Sequence, residues 1–229
     1  VNVTGARILV PGATGAIGSA LSERLHQRGA HIAVAGRDRE ALARLADVCG
    51  NVPSRRFDAY DLDTCADTVT WAHETLDGLD AVVVCVGVAG FGPAEAVGDA
   101  VAEHLVTVNA LAPMAFLRAA LPLVPRGGLV AAVTGIVVDM APAGMADYTA
   151  SKAALVYWLS SVRREQRRKG VDILDLRLDH VESGFAQRAV VGTPPDLPRG
   201  QSVQEAVDKV MEALEGAGGD GSPRGPEKR

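Results

Sequence analysis

Apolar residues along this chain fall into two alternating kinds of stretch. Apolar runs at 81–87 and 129–134 suit central strands buried on both faces, and shorter or mixed stretches at 7–10, 31–35, 55–57 and 171–178 read as the other strands. Between them lie longer stretches with helical spacing, at 19–28, 38–48 and 64–76. Val97, Val101, Leu105 and Val108 mark one face of a further helix, and Pro113 then starts or kinks the next helical stretch. Leu155, Leu159 and Val162 mark a face of a helix that carries Tyr148 and runs to about residue 169. Ser202 is a helix cap for a last helix ending near Glu215. Strand and helix alternate six times. That pattern predicts an α/β fold, a doubly wound parallel sheet of about six strands with helices on both faces (a Rossmann fold). Residues 1–215 read as one domain, and 216–229, rich in Gly, Pro and charge, read as a disordered tail.

Composition narrows the function classes. The chain of 229 residues suffices for one sizeable core, and with only 4% aromatic residues that core must be mostly Ala, Val and Leu. A net charge of -5 argues against nucleic acid as partner. Arg163, Arg164, Arg167, Arg168 and Lys169 crowd one helix end, where cations stay solvated and favour the C-terminal dipole. Cys49, Cys65 and Cys85 have no metal-ligand spacing, so no metal is expected and a reducing cytoplasm is the simplest setting. The first strand begins within a few residues, leaving no room for a signal peptide, and no apolar run is expected to approach the roughly 20 residues that span a bilayer. No membrane association is expected.

The candidate chemistry sits at strand ends. Gly12, Gly15 and Gly18 lie between the first strand and the first helix, where backbone can approach a pyrophosphate at a helix N-terminus. Arg37 follows the second strand, after Gly36, in the place where a carboxylate would select NAD; a guanidinium there suits a 2′-phosphate. Asp38 is close enough that a one-residue shift would bring a carboxylate to the same place. Asp58 closes the third strand and can accept from an adenine amino group, whereas Asp61 or Asp63 suits helix capping. Tyr148 and Lys152 stand four apart, one turn on one helix face, and an ammonium beside a phenol is expected to favour the phenolate. Such a phenol is a general acid/base working near neutral pH.

With these residues placed, the chain resembles the short-chain dehydrogenase/reductase family over nearly its whole length. The resemblance rests on Gly12, Gly15 and Gly18, on Asp58, on Asn109, and on the Tyr148–Lys152 pair, in that order and spacing. It implies that Tyr148 exchanges a proton with the substrate oxygen. Lys152 would lower the phenol's pKa and hold the nicotinamide ribose, while Asn109 positions a water. The family's serine after the fifth strand is missing, and its role falls to Thr134, which is followed by Gly135. Ala16 stands where many members carry glycine, Val84-Cys85-Val86-Gly87 replaces Asn-Asn-Ala-Gly, and Leu178-Asp179 replaces Pro-Gly. The seventh strand has no counterpart. The cofactor contacts so implied fall on Gly12, Thr14, Gly15, Ile17, Gly18, Arg37, Asp58, Ala59, Cys85, Val86, Gly87, Tyr148, Lys152, Val181 and Ser183.

The function implied is an NADP(H)-dependent oxidoreductase moving hydride between nicotinamide and a carbonyl or alcohol, with NAD(H) the second choice of cofactor. The alternatives are an NADP-binding sensor or scaffold without chemistry, and an epimerase- or dehydratase-like relative. Phe91, Val137, Met140, Met145 and Phe185 in the pocket loops suggest an apolar substrate. By the same resemblance, Trp158, Tyr157 and the stretch 113–121 form a surface for a homodimer or homotetramer.

Overall fold

Residues 1–196 and 198–217 are described by the computed structural model. Six parallel strands, β1 (Arg7–Pro11), β2 (His31–Gly36), β3 (Ser54–Arg56), β4 (Ala81–Val84), β5 (Leu129–Gly135) and β6 (Asp172–Leu178), form one sheet in the order β3-β2-β1-β4-β5-β6. The order reverses between β1 and β4, which opens a crevice at the strands' carboxyl ends. The helices are α1 (Ala16–Gln27), α2 (Arg39–Val48), α3 (Leu62–Thr75), α4 (Asp99–Val106), α5 (Ala112–Ala120), α6 (Val137–Met140), α7 (Ala146–Gln166) and α8 (Val203–Gly216).

Alternation along each strand sends neighbouring side chains to opposite faces. Ile8, Val10, Ile32, Val34 and Ala131 pack with Leu21 and Leu25 of α1, Leu42 of α2 and Val207 and Val210 of α8. Leu9, Ala33, Val82 and Val130 pack with Val69 of α3, Phe116 of α5 and Leu155 and Leu159 of α7. Both faces are therefore covered, as the apolar runs require. Arg24 and Arg28 of α1 also pair with Asp208 and Glu215 of α8, at 2.6 and 3.0 Å.

Several boundaries differ from the sequence expectation. Helix α1 starts at Ala16, three residues early, and β4 ends at Val84 rather than at Gly87. Cys85 still gives its N–H to Pro11 O at 2.7 Å, but the ladder stops there. The short α6 was not legible in the sequence. Helices α4 and α5 are one continuous helix, Asp99–Ala120, joined by a π turn at Thr107–Leu111. Pro113 explains the turn: it has no N–H, and its ring crowds the carbonyl of Asn109 four residues back, so the backbone widens. Ala112 N–H then reaches five residues back, to Thr107 O. This helix is long and apolar enough to cross a membrane, contrary to the expectation that no run approaches that length. Half of its most apolar window is buried, with Phe116 and Leu117 against the core. No seventh strand follows β6 among the described residues, and residues 218–229 of the expected tail lie outside them.

Candidate active site

The crevice begins where β1 ends. Gly12 takes φ +85, and a Cβ there would come within 2.6 Å of the Cys85 carbonyl carbon, so only glycine lets this turn pass the segment after β4. Cys85, Val86 and Gly87 thus lie beside the glycine turn. Helix α1 opens on Gly15 with no side-chain cap and no acidic residue in its first turn. Its first N–H groups and positive dipole end are left for an anion, which is the chemistry a dinucleotide pyrophosphate needs. Ile17 and Gly18 lie in that first turn.

On the β2–β3 side, Arg37 is exposed. Asp38 caps α2, its Oδ1 accepting from Glu40 N at 2.9 Å and Ala41 N at 3.0 Å. The Ala41 N–H foremost holds its carboxyl below the usual range. Asp38 is therefore the N-terminal cap of α2. Asp58 is exposed, with Oδ1 accepting from Tyr60 N at 3.0 Å, and Ala59 beside it is buried. Asp61 caps α3 by accepting from Thr64 N at 3.0 Å.

Helix α7 supplies the Tyr148–Lys152 pair. Lys152 is 4% exposed, and its Nζ points at Val133 O, 3.4 Å away. A Cβ on Gly87 would lie 2.9 Å from that Nζ and 3.3 Å from Asn109 Oδ1, so the bare backbone at Gly87 makes room for the ammonium. Asn109, in the π turn, is fully buried. Its Nδ2 donates to Val88 O at 2.9 Å and Ser151 Oγ at 3.0 Å, and its Oδ1 accepts from Val88 N at 2.8 Å. Ser151 Oγ in turn donates to Tyr148 O at 2.7 Å. The segment after β4, the π turn and α7 are thereby locked together, and Asn109, Lys152 and Gly87 converge.

The electrostatics differ from expectation. Burial pushes the Tyr148 phenol up to about 12 instead of lowering it. Its ring lies between Phe91 and Phe185, with centroids 6.5 and 6.4 Å away, in a cluster with Val137 and Met145 that opposes a phenolate charge. Burial likewise pulls Lys152 down to about 8, against the pull of Cys85 and Asp175. The two shifts invert the ordinary order and widen the interval, so that the phenol now holds its proton more tightly than the ammonium does.

Thr134 has a partner that linear spacing did not show. It is buried in β5, and its hydroxyl donates to Asp175 Oδ1 of β6. That hydroxyl is paired across the β5–β6 ladder. Asp175 also accepts from Arg177, which bonds Asp139 of α6 through Nη1 at 2.7 and 2.9 Å. Beyond β6, Val181 bridges to Gln201, and Ser183 N donates to Val181 O at 2.8 Å, at the sheet's carboxyl end. Met140 is exposed, whereas Phe91, Val137 and Met145 are buried. No group of three or more metal-ligating side chains occurs among the described residues.

Three participants escaped the sequence reading. Ser151 lay inside the Tyr148–Lys152 spacing as an unremarked small residue. Asp175 was one of two carboxylates, with Asp172, in a strand otherwise mostly apolar, and it alone of the two stands away from the strand's start, a signal that could have found it. Arg56, whose Nε donates to Arg37 O at 3.1 Å, was hidden by the shortness of β3.

A family model described as short chain dehydrogenase matches residues 6–190. The chain belongs to the short-chain dehydrogenase family. It is an oxidoreductase of that family. A 3-oxoacyl-[acyl-carrier-protein] reductase of Rickettsia conorii is 27% identical over 191 residues, 82% of this chain and 78% of the relative. A cyclic-di-GMP-binding biofilm dispersal mediator protein of Escherichia coli is 31% identical over 173 residues, 74% and 70% of the two chains. Among solved structures, BdcA in complex with NADPH superposes with a TM-score of 0.80 at 25% identity, covering 92% of this chain and 87% of the other.

Proposed function

We propose that this short-chain dehydrogenase is an NADP(H)-dependent carbonyl reductase or alcohol dehydrogenase acting on an apolar substrate. The observation that carries this reading is the convergence of Lys152, Asn109 and bare Gly87 one helical turn from Tyr148, beside the uncapped start of α1. The nicotinamide supplies or accepts the hydride when bound. Gly12, Thr14, Gly15, Ile17 and Gly18 hold the pyrophosphate side, with Cys85, Val86, Gly87, Val181 and Ser183 along the crevice. Asp58 and Ala59 take the adenine side. Arg37 takes a 2′-phosphate, a reading supported by the capping role of Asp38 and by the NADPH bound to BdcA.

Tyr148 holds the proton that a substrate oxygen exchanges. Its phenol needs help to ionise, and the Lys152 ammonium is the cation available on the same helix face. Lys152 in turn stays in place because Gly87 leaves it space. Phe91, Phe185 and Met145 exclude water around the phenol and favour an apolar carbonyl compound. With Thr134 bonded to Asp175, Tyr148 is left as the O–H donor of the site in this reading.

The test is NADPH oxidation, followed by nicotinamide absorbance, over a panel of apolar ketones, aldehydes and quinones. Tyr148→Phe is expected to bind NADPH like the parent and to lose at least about a hundredfold in turnover, the usual scale of acid–base catalysis. Unchanged turnover in that variant refutes the mechanism.

A further inference from the structure

We infer that Arg56 is the second half of a two-arginine seat for the 2′-phosphate, so that selection of NADP(H) over NAD(H) is divided between Arg37 and Arg56. The inference rests on the NADP(H) reading above and adds a residue to it.

Residues 55 and 56 of β3 face opposite ways. Arg55 stacks its guanidinium over the Trp71 ring, 5.7 Å from the centroid. Arg56 is exposed on the other side, in register with Gly36 of β2. Its Nε donates to the backbone oxygen of Arg37 at 3.1 Å. Two guanidinium-bearing residues are therefore joined at the carboxyl ends of adjacent strands. A third polar group reaches the same place, because the Thr14 side chain lies against Gly36, where a Cβ would meet its Oγ1 at 2.9 Å.

No carboxylate neutralises this corner. Among the described residues, neither Arg37 nor Arg56 has an acidic side chain within ion-pair distance. The nearest candidate in sequence, Asp38, points its carboxylate into the first turn of α2. Asp58, two residues after Arg56, likewise accepts from a backbone N–H, that of Tyr60, at 3.0 Å. Two cationic side chains rooted at one corner of the sheet, with no carboxylate bonded to either, favour an anion there. The tie to Arg37 O uses Nε and leaves the terminal nitrogens of Arg56 for an anion, which a phosphate with several acceptor oxygens matches.

The test is calorimetric binding of 2′,5′-ADP and of 5′-ADP to the full chain, at low and moderate salt. These probes differ by the 2′-phosphate alone and need no turnover. The parent protein is expected to prefer 2′,5′-ADP. Arg56→Gln keeps an N–H able to reach Arg37 O but removes the charge. It is expected to weaken 2′,5′-ADP at least about tenfold and leave 5′-ADP unchanged, with a shallower salt dependence. Arg56→Lys is expected to restore part of the loss. Selectivity lost in Arg37→Ala but kept in Arg56→Gln overturns the role of Arg56 while leaving the NADP(H) reading intact. Equal weakening of both probes in Arg56→Gln also overturns it, making Arg56 a prop for the loop. A parent protein that binds both probes alike overturns the NADP(H) reading together with the inference.

Discussion

Lys152 carries its positive charge into a dry site, and its titration should be visible in the stability of the whole chain. Its ordinary value is 10.5 and its folded value is about 8. Between the two, the unfolded chain binds more protons than the folded one, so stability rises with pH across that window. Below about 8 the burial penalty is fully present. Tyr148 acts in the opposite sense at higher pH: raised from 10.0 to about 12, it lets stability fall again across that interval. In urea unfolding, Lys152→Met should therefore gain more over the parent at about pH 7 than at about pH 9.5. A difference between the two proteins that is the same at both pH values would refute the burial of a charged Lys152. The residue types and spacing of this pair were legible in the sequence. The direction of the tyrosine's shift was not, because Phe91 and Phe185 come from segments far away in the chain and only folding sets them beside the ring.

The helix Asp99–Ala120 shows what an element does that its residues do not reveal singly. Sequence periodicity gave its apolar face, and Pro113 signalled a break, but the outcome was a widened turn that turns Asn109 inward. There Asn109 satisfies both backbone groups of Val88 and reaches Ser151 on α7. Asn109→Ala would leave the half-buried Val88 N–H and carbonyl without these partners. A loss of about 2–4 kcal/mol is expected, at the upper end for one polar side chain because two backbone groups are orphaned together. It should appear as a lowered urea midpoint with an unchanged slope. A loss below about 0.5 kcal/mol would mean that water or a shifted backbone replaces the amide. Thr134 illustrates the reverse failure of reading. The family resemblance gave it the missing serine's role; pairing with β6 also set Asp175 beside it, and a carboxylate across a ladder has no signature in linear spacing.

At the scale of the molecule, the six-strand parallel architecture was legible because most strands are apolar runs and the connections between them read as helical, while β3 and β6, which carry charged residues, were placed by the alternation; strand order had to come from the structure. The same scale sets the state of association. Tyr157 of α7 is 76% exposed, and Leu111 of the π turn and Val106 of α4 are 42% and 38% exposed, on helices that pack together. Such apolar exposure on adjoining helices is expected to pair across a two-fold axis. Light scattering should give a dimer for the parent and a monomer for Tyr157→Glu; a monomeric parent would refute the pairing. The packing of α1 against α8 bears on how the molecule is made. Arg24 and Asp208 are 184 positions apart. On a ribosome adding roughly 5–20 residues per second, α1 waits on the order of ten to forty seconds for the helix that covers it. The nucleotide turn is translated first and completed last. A nascent chain halted before α8 would already hold Tyr148, Lys152 and Asn109, yet its α1 leucines would lack their cover and be a target for chaperones. Nucleotide capture would then report that α8 had docked.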